Sequence, residues 1–190
     1  MKKFLVALLV ALCGFVPLFA DDVADVKAVI VKNNELNLRN DFLGTLAQCT
    51  PDYQEIVSGE VVTYRQLKWL IVSLDGKHPK EFLLFMVSRE SDGQLPSAGL
   101  YKMIMDNPVP EDMLKMYEET IRKAIAYNNA EAEAWRKTAK FVSVKVDGVR
   151  AVAVVEYDGS DPASGAAKHK RSTTYLRREN GVWLMYKCVR

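Results

Sequence analysis

Two glycine turns near the C-terminus constrain the fold of this chain more than any other feature. Asp147-Gly148 and Asn180-Gly181 each lie between stretches in which apolar and polar side chains alternate. Asp-Gly and Asn-Gly in that setting are typical of tight β-hairpins. Hairpin connections produce antiparallel pairing, so the last third of the chain is predicted to be an antiparallel meander. The four predicted strands are residues 141–146, 150–157, 168–178 and 182–189.

The first part of the chain is predicted to be helical. Residues 22–48 carry apolar side chains at helical spacing, with a bend or break left open at Asn33-Asn34 or Gly44. The segment ends before Pro51, because proline disfavours helical backbone in the residue before it. Residues 52–58 then alternate as a short strand, and residues 63–74 return to helical spacing.

The middle of the chain is also predicted to be mostly helical, over residues 79–89, 100–105 and a long stretch from Pro110. Pro110 followed by Glu111 is a strong start signal for a helix. An interruption at Asn128-Asn129 is left open, and the polar flank of Trp135 predicts a position at the surface or on a lid. Helices followed by a meander give an α+β fold.

The N-terminus has the pattern of a cleavable signal peptide over residues 1–20. Lys2 and Lys3 precede an apolar run, which ends near the small residue Ala20. The run is shorter than the roughly 20 residues that span a bilayer. We therefore expect a protein exported to a periplasm or to the outside of the cell. Residues 21–190 form its single domain, with no stable membrane insertion after cleavage.

Charge and cysteine content limit the classes of partner. The chain has 26 Lys and Arg against 24 Asp and Glu, and loss of Lys2 and Lys3 leaves the two signs balanced. A chain with no net charge is poorly suited to binding nucleic acid, because neutralisation of phosphates by Lys and Arg supplies most of the affinity of such binding. Cys49 and Cys188 remain after processing, and a disulfide between them or two buried free thiols are equally expected. Without a Cys-x-x-Cys motif or a Cys/His cluster, we expect no metal and no cofactor.

Two short segments resemble the nuclear transport factor 2-like superfamily, which includes ketosteroid isomerases and polyketide cyclases. They are TPDYQEI at residues 50–56 and YLRRENGVWLMY at residues 175–186. The resemblance implies a cone-like curved antiparallel sheet wrapped around N-terminal helices, with a pocket at its open end. It also implies a homodimer packed through the sheet. Residues 76–140 are longer and more helical than that fold has there, and are predicted to be a helical insertion.

The resemblance transfers no catalytic residue to this chain, so the pocket candidates come from the predicted strands. A carboxylate in an apolar pocket has a raised pKa and can act as a general base, and a tyrosine can polarise a carbonyl group. His169, Arg171 and Tyr175 share one strand face and form the only cluster. The candidate ligand-pocket residues are Tyr53, Glu55, His169, Arg171, Tyr175 and Tyr186.

Three functions remain open at this point. The favoured one is a non-catalytic domain that binds a small apolar molecule or another protein. The alternative is a pocket enzyme of isomerase, dehydratase or hydrolase type, with a buried carboxylate or His169 as general base. A third is an inhibitor or toxin-like effector that uses the helical insertion as its contact surface. Fold alone does not decide among them.

Overall fold

The structure is a computed structural model that describes residues 17–90, 94–161 and 164–190. The predicted signal peptide therefore lies largely outside the described residues. Only residues 17–20 of it are described, and they form the start of the first helix. In order along the chain, the elements are α1 (Pro17–Leu38), α2 (Phe42–Leu46), β1 (Cys49–Val57), β2 (Glu60–Thr63), α3 (Tyr64–Ser73), α4 (Pro79–Glu90), α5 (Ala98–Asp106), α6 (Glu111–Thr138), β3 (Lys140–Asp147), β4 (Arg150–Ser160), β5 (Ala167–Glu179) and β6 (Val182–Val189).

The strands form one six-stranded sheet in the order β2-β1-β6-β5-β4-β3. All neighbours are antiparallel except β1 and β6, which run parallel. The sheet is curved and does not close on itself, and helices pack on one of its faces. The predicted α+β fold with a C-terminal meander is thereby confirmed.

Both predicted hairpins are present, and the backbone explains their residues. Asn180 and Gly181 have φ values of 50° and 82°, which is the left-handed pair that a two-residue turn between β5 and β6 needs. Between β3 and β4 the turn is Gly148-Val149, with Gly148 alone at positive φ. Glycine at the first of the two turn positions fits a turn of this kind, because it has no Cβ to clash.

The main core lies between the helices and the inner face of the sheet. Val26 and Ile30 of α1 pack against Ala153, Leu176 and Trp183 of the meander, all buried. α1 is also tied to the sheet by an ion pair between the buried Asp22 and Arg178. Leu176 is fully buried at the centre of this core.

The segment predicted to be a helical insertion, residues 76–140, contributes to the domain in two ways. α4 and α6 form a second, smaller core around Phe82, Tyr117 and Ile121. The C-terminal half of α6 packs on α1 and β4, and Trp135 joins the main core with its ring edge-on to Phe141 at 6.5 Å. The surface or lid position predicted for Trp135 was wrong. Of the two glutamates that precede it, Glu133 forms ion pairs with Arg136 and Lys137, whereas Glu131 is largely buried.

Several predicted boundaries need correction. The N-terminal helical segment breaks at Asn40, whose φ is 56°, and neither Asn33-Asn34 nor Gly44 interrupts it. α6 likewise runs through Asn128-Asn129 without a break. β1 starts at Cys49, three residues before the predicted strand, and includes the exposed Pro51. The start of α3 was well marked, because Thr63 and Gln66 form a reciprocal capping box.

Candidate ligand-binding site

A cavity of about 310 Å³ lies between the inner face of the sheet and helices α1, α2, α3 and α6. Most of the helical wall is apolar, and polar side chains are contributed by the sheet, α1 and α6. The volume is at the lower end of the range for pockets that hold small molecules. Its apolar lining residues are Ile30, Phe42, Leu46, Leu67, Leu70, Ile71, Leu74, Ala124, Ala132, Trp135 and Met185.

Strand alternation decides which residues of the meander face the cavity. On β5, Ser172 and Thr174 line the cavity, and Leu176, two residues further on, is buried in the core. Their cross-strand neighbours on β4 are also buried, with Val155 opposite Ser172. Since side chains two apart share a strand face, the odd-numbered residues of β5 lie on the outer face of the sheet.

A β-bulge changes this alternation on β6. Tyr175 pairs with Lys187, whereas the next residue, Leu176, pairs with Met185. Tyr186 is therefore the extra residue of the bulge, and the residues beyond it change sides. Met185 faces the cavity before the bulge, and Cys188 and Arg190 face it afterwards.

An ion pair forms one wall of the cavity. Arg190 Nε lies 3.2 Å from Glu55 Oε1, and the Glu55 side chain is 15% exposed whereas that of Arg190 is 51% exposed. Glu55 holds the pKa of Arg190 well above its usual value. Tyr53 lines the same wall two residues before Glu55, and burial raises the pKa of its phenol.

A second polar group is centred on Glu131 of α6, whose side chain is 14% exposed. Its carboxylate accepts hydrogen bonds from Lys170 Nζ at 2.5 Å, from the backbone N–H and hydroxyl of Ser160 at 2.7 and 3.0 Å, and from the Tyr157 hydroxyl at 3.4 Å. Burial acts to raise the pKa of Glu131, but the bonds from Lys170 and Ser160 outweigh it, and the pKa is lowered. Glu131 is therefore held as a carboxylate.

Glycine at position 159 makes this approach of the carboxylate feasible. A Cβ at Gly159 would lie 2.8 Å from both carboxylate oxygens of Glu131. Lys170 completes the group by donating to the Tyr127 hydroxyl at 2.9 Å.

Four asparagines of α1 and α6 line the cavity and link the two helices. Asn34 Nδ2 donates to the carbonyl of Ala132 at 3.1 Å, and Asn128 Nδ2 donates to the carbonyl of Asn37 at 3.4 Å. Asn37 Nδ2 donates within α1, to the carbonyl of Asn33 at 3.1 Å. The Nδ2 of Asn33 is buried and has no partner among the described residues.

Cys49 and Cys188 both line the cavity as buried free thiols. Burial, reinforced by the charge of Glu55, raises the pKa of Cys49 to about 12. Cys49 lies opposite Met185, whereas Cys188 lies opposite Glu55. Of the two arrangements expected from the sequence, the structure has the free thiols.

The structure separates the six candidate pocket residues into two groups. Tyr53 and Glu55 line the cavity. His169, Arg171 and Tyr175 do share a strand face, but it is the outer one. There His169 Nδ1 lies 2.8 Å from Asp158, and Arg171 lies 3.6 Å from Glu156. Tyr186, displaced by the bulge, lies outside the cavity as well, with its ring centre 6.1 Å from that of Tyr175.

Sequence reasoning missed the contribution of the helices to this site. Glu131 and Asn128 lie on α6, inside the segment that was predicted to be an insertion, and Asn34 and Asn37 lie on α1. A signal was present, because Asn33 and Asn37 are four residues apart on the face that carries the core residues Val26 and Ile30. Amides in line with an apolar helix face are typical of a polar wall in a cavity.

Two further features of residues 17–90, 94–161 and 164–190 bear on the class of protein. None of the helices described there is long and apolar enough to cross a membrane. In the same residues no cluster of three or more His, Cys, Asp or Glu side chains is arranged to hold a metal ion.

The architecture has the features that the sequence resemblance implied: helices packed on a curved sheet whose last strands form a meander. No protein-family model and no curated protein matches the chain.

Similar solved structures include an NTF2-like protein with a cystatin-like fold from Novosphingobium aromaticivorans, at 13% identity, a TM-score of 0.44 and coverage of 90% of this chain and 81% of that one. An NTF-2 like protein of unknown function from Shewanella oneidensis is 11% identical, with a TM-score of 0.43 and coverage of 87% and 95%. A ketosteroid isomerase-like protein from Erwinia carotovora atroseptica is 11% identical, with a TM-score of 0.41 and coverage of 88% and 93%.

Proposed function

We propose that this chain is an exported, non-catalytic binding domain that takes a small, mainly apolar molecule into the cavity between its helices and its sheet. The observation that carries the proposal is the cavity itself, with about 310 Å³ enclosed by apolar side chains and a few polar groups. Mostly apolar walls with a small number of placed polar groups are typical of small-molecule sites. The apolar walls supply affinity, and the polar groups supply orientation.

The polar groups favour binding over catalysis. A general base needs a pKa near the working pH, whereas the pKa of Glu131 is lowered and its carboxylate already has four hydrogen-bond donors. Of the candidate bases taken from the sequence, Glu55 is ion-paired with Arg190, and His169 lies on the outer face of the sheet. The pocket enzyme of isomerase, dehydratase or hydrolase type therefore has less support than the binding domain.

Export is part of the proposal and is supported by the N-terminal sequence pattern. Cleavage after Ala20 would keep the ion pair between Asp22 and Arg178, which ties α1 to the sheet. N-terminal sequencing of the protein recovered from the exported fraction tests this point. A first residue near Asp21 is expected, and an intact Met1 would contradict export with cleavage.

A fluorescence titration with the neutral, environment-sensitive dye prodan tests the binding site. Ala124 lines the cavity, whereas Ala126 lies two residues further along α6 and is exposed. We expect Ala124→Phe to fill the cavity and weaken dye binding at least tenfold, because the added ring occupies the ligand volume. Ala126→Phe adds the same ring at the surface and is expected to bind like the wild type. Equal affinity in all three proteins, or no binding in any, would contradict the proposal.

A further inference from the structure

The asparagines that line the cavity keep hydrogen-bonding capacity for a ligand, including their side-chain oxygens as acceptors. The amide nitrogens of Asn34, Asn37 and Asn128 all donate to backbone carbonyls. None of the hydrogen bonds found within the described part of the chain uses the side-chain oxygens of these three residues. An amide oxygen only accepts, so these residues keep three acceptors, and the second N–H of Asn34 and of Asn128 can still donate.

The amide nitrogen of Asn33 does not add a donor to this wall of the cavity. It is buried, with less than 1 Å² of accessible surface, and so makes no contact with the cavity space. A ligand in the cavity therefore meets the amides of Asn34, Asn37 and Asn128, whose oxygens can accept its donors.

Glu55 adds a carboxylate with an open oxygen on the opposite, sheet-side wall. Arg190 Nε approaches Oε1 at 3.2 Å, and no interaction of Oε2 is found among the described residues. Glu55 is largely buried, whereas its partner Arg190 is half-exposed. Because the guanidinium reaches the surface, where water screens it more than the carboxylate, we expect this wall of the cavity to favour a cationic group.

Glu131 is the other carboxylate in the cavity lining, and it is already saturated. Its two oxygens share four donors from Lys170, Ser160 and Tyr157. Among the described residues, Glu55 is therefore the lining carboxylate that keeps capacity for a ligand cation. The lining has one cation, Arg190, and it is already paired with Glu55.

We propose that the molecule bound here carries a protonated amine on an apolar body, and that Glu55 receives the ammonium group. The amide oxygens of the helical wall accept further donors of the ligand. This inference rests on the proposed function, because it names the ligand class of the same cavity. A charge-assisted hydrogen bond in a largely buried site corresponds to roughly a tenfold to hundredfold gain in affinity over a neutral hydroxyl.

Calorimetric titration with hexylamine, hexan-1-ol and hexanoate at pH 7 tests this, since the three probes share one apolar chain and differ in the head group. Wild-type protein is expected to bind hexylamine at least tenfold more tightly than hexan-1-ol, and hexanoate most weakly. Glu55→Gln is expected to abolish the preference for the amine while affinity for hexan-1-ol stays within twofold. Glu35→Gln, on the exposed side of α1, makes the same change in net charge and is expected to behave like the wild type.

A second variant keeps the inference testable if Glu55→Gln does not fold. Arg190→Met removes the half-exposed cation that competes for Glu55, and is expected to strengthen hexylamine binding several-fold. Equal binding of hexylamine and hexan-1-ol, or tighter binding of hexanoate, would overturn the amine inference and leave the proposed function intact. No binding of any of the three probes would overturn both.

Discussion

Replacing Glu131 by glutamine tests how α6 is attached to the sheet. The substitution keeps the shape of the side chain but removes the charge that Lys170 faces at 2.5 Å, and it weakens the acceptor for Ser160 and Tyr157. The Lys170 side chain is only 18% exposed and would keep the Tyr127 hydroxyl as its one remaining partner. Loss of one partner from a fully buried pair costs about 3–5 kcal/mol. The remaining solvent contact of both groups reduces the expected loss to about 2–3 kcal/mol.

Lys170→Met is expected to cost less, about 1–2 kcal/mol, because the carboxylate would keep three donors from Ser160 and Tyr157. The double variant should therefore lose less stability than the sum of the two single variants. Urea unfolding followed by circular dichroism measures the three free energies, with an unchanged m-value as the check on two-state behaviour. Glu118→Gln, on the same helix, exposed and in no ion pair with the described residues, is the control and is expected to change stability little.

The dependence of stability on pH follows from the same pair. The pKa of Glu131 is lower in the folded than in the unfolded chain, so its stabilisation is complete above the unfolded pKa of roughly 4.3 and is lost as pH falls through the folded pKa. The difference in stability between the wild type and Glu131→Gln should shrink below about pH 4. A Glu131→Gln variant as stable as the wild type at pH 7, or strictly additive losses in the double variant, would refute this account of the attachment.

Three other predictions follow from buried groups. Gly159→Ala should lower the free energy of unfolding in urea by about 1–3 kcal/mol, because the added Cβ meets the Glu131 carboxylate. Gly99→Ala, in open space on a helix, is the control and should not destabilise the protein. Equal effects of the two substitutions would contradict the close contact at Gly159. Burial raises the pKa of Cys49 to about 12, so at pH 8 it should be alkylated roughly a thousandfold more slowly in the native protein than in urea. Peptide mass spectrometry measures the two rates, and similar rates would show that the thiol is not buried. Leu176→Ala should lower the free energy of unfolding by about 2–5 kcal/mol, and a loss below 1 kcal/mol would show that Leu176 is not at the centre of the core.

The meander was predictable because its signals are local. A two-residue turn with left-handed backbone needs residues such as Asn180-Gly181, and the alternation on either side fixes the strands. The start of α3 was equally clear, because the Thr63 and Gln66 caps lie within one turn of helix.

Which face of each strand meets the helices could not be predicted from the sequence in the same way. His169, Arg171 and Tyr175 do share a face, but the sequence of β5 is half-polar on both sides and does not say which one meets the helices. The bulge at Tyr186 then moves Cys188 and Arg190 to the inner face. Such a shift depends on pairing with β5 and leaves no clear pattern in β6 itself.

The cavity wall from α6 depends on contacts that are distant in sequence. Glu131 meets Lys170, 39 residues away, and Asn128 meets Asn37, 91 residues away. Contacts between residues so far apart in sequence cannot be deduced from helical or strand periodicity. The segment was therefore predicted to be an insertion on the fold, whereas its last helix completes the cavity.

The central claim, that the cavity binds a small molecule, is tested most directly by nuclear magnetic resonance of the indole N–H groups during a hexan-1-ol titration. Trp135 lines the cavity, whereas Trp69 is partly buried elsewhere beneath the guanidinium of Arg65. We predict saturable shifts of the Trp135 signal with the Trp69 signal unchanged. Shifts of Trp69 alone, or the absence of saturable shifts at Trp135, would contradict the claim that this cavity is the binding site.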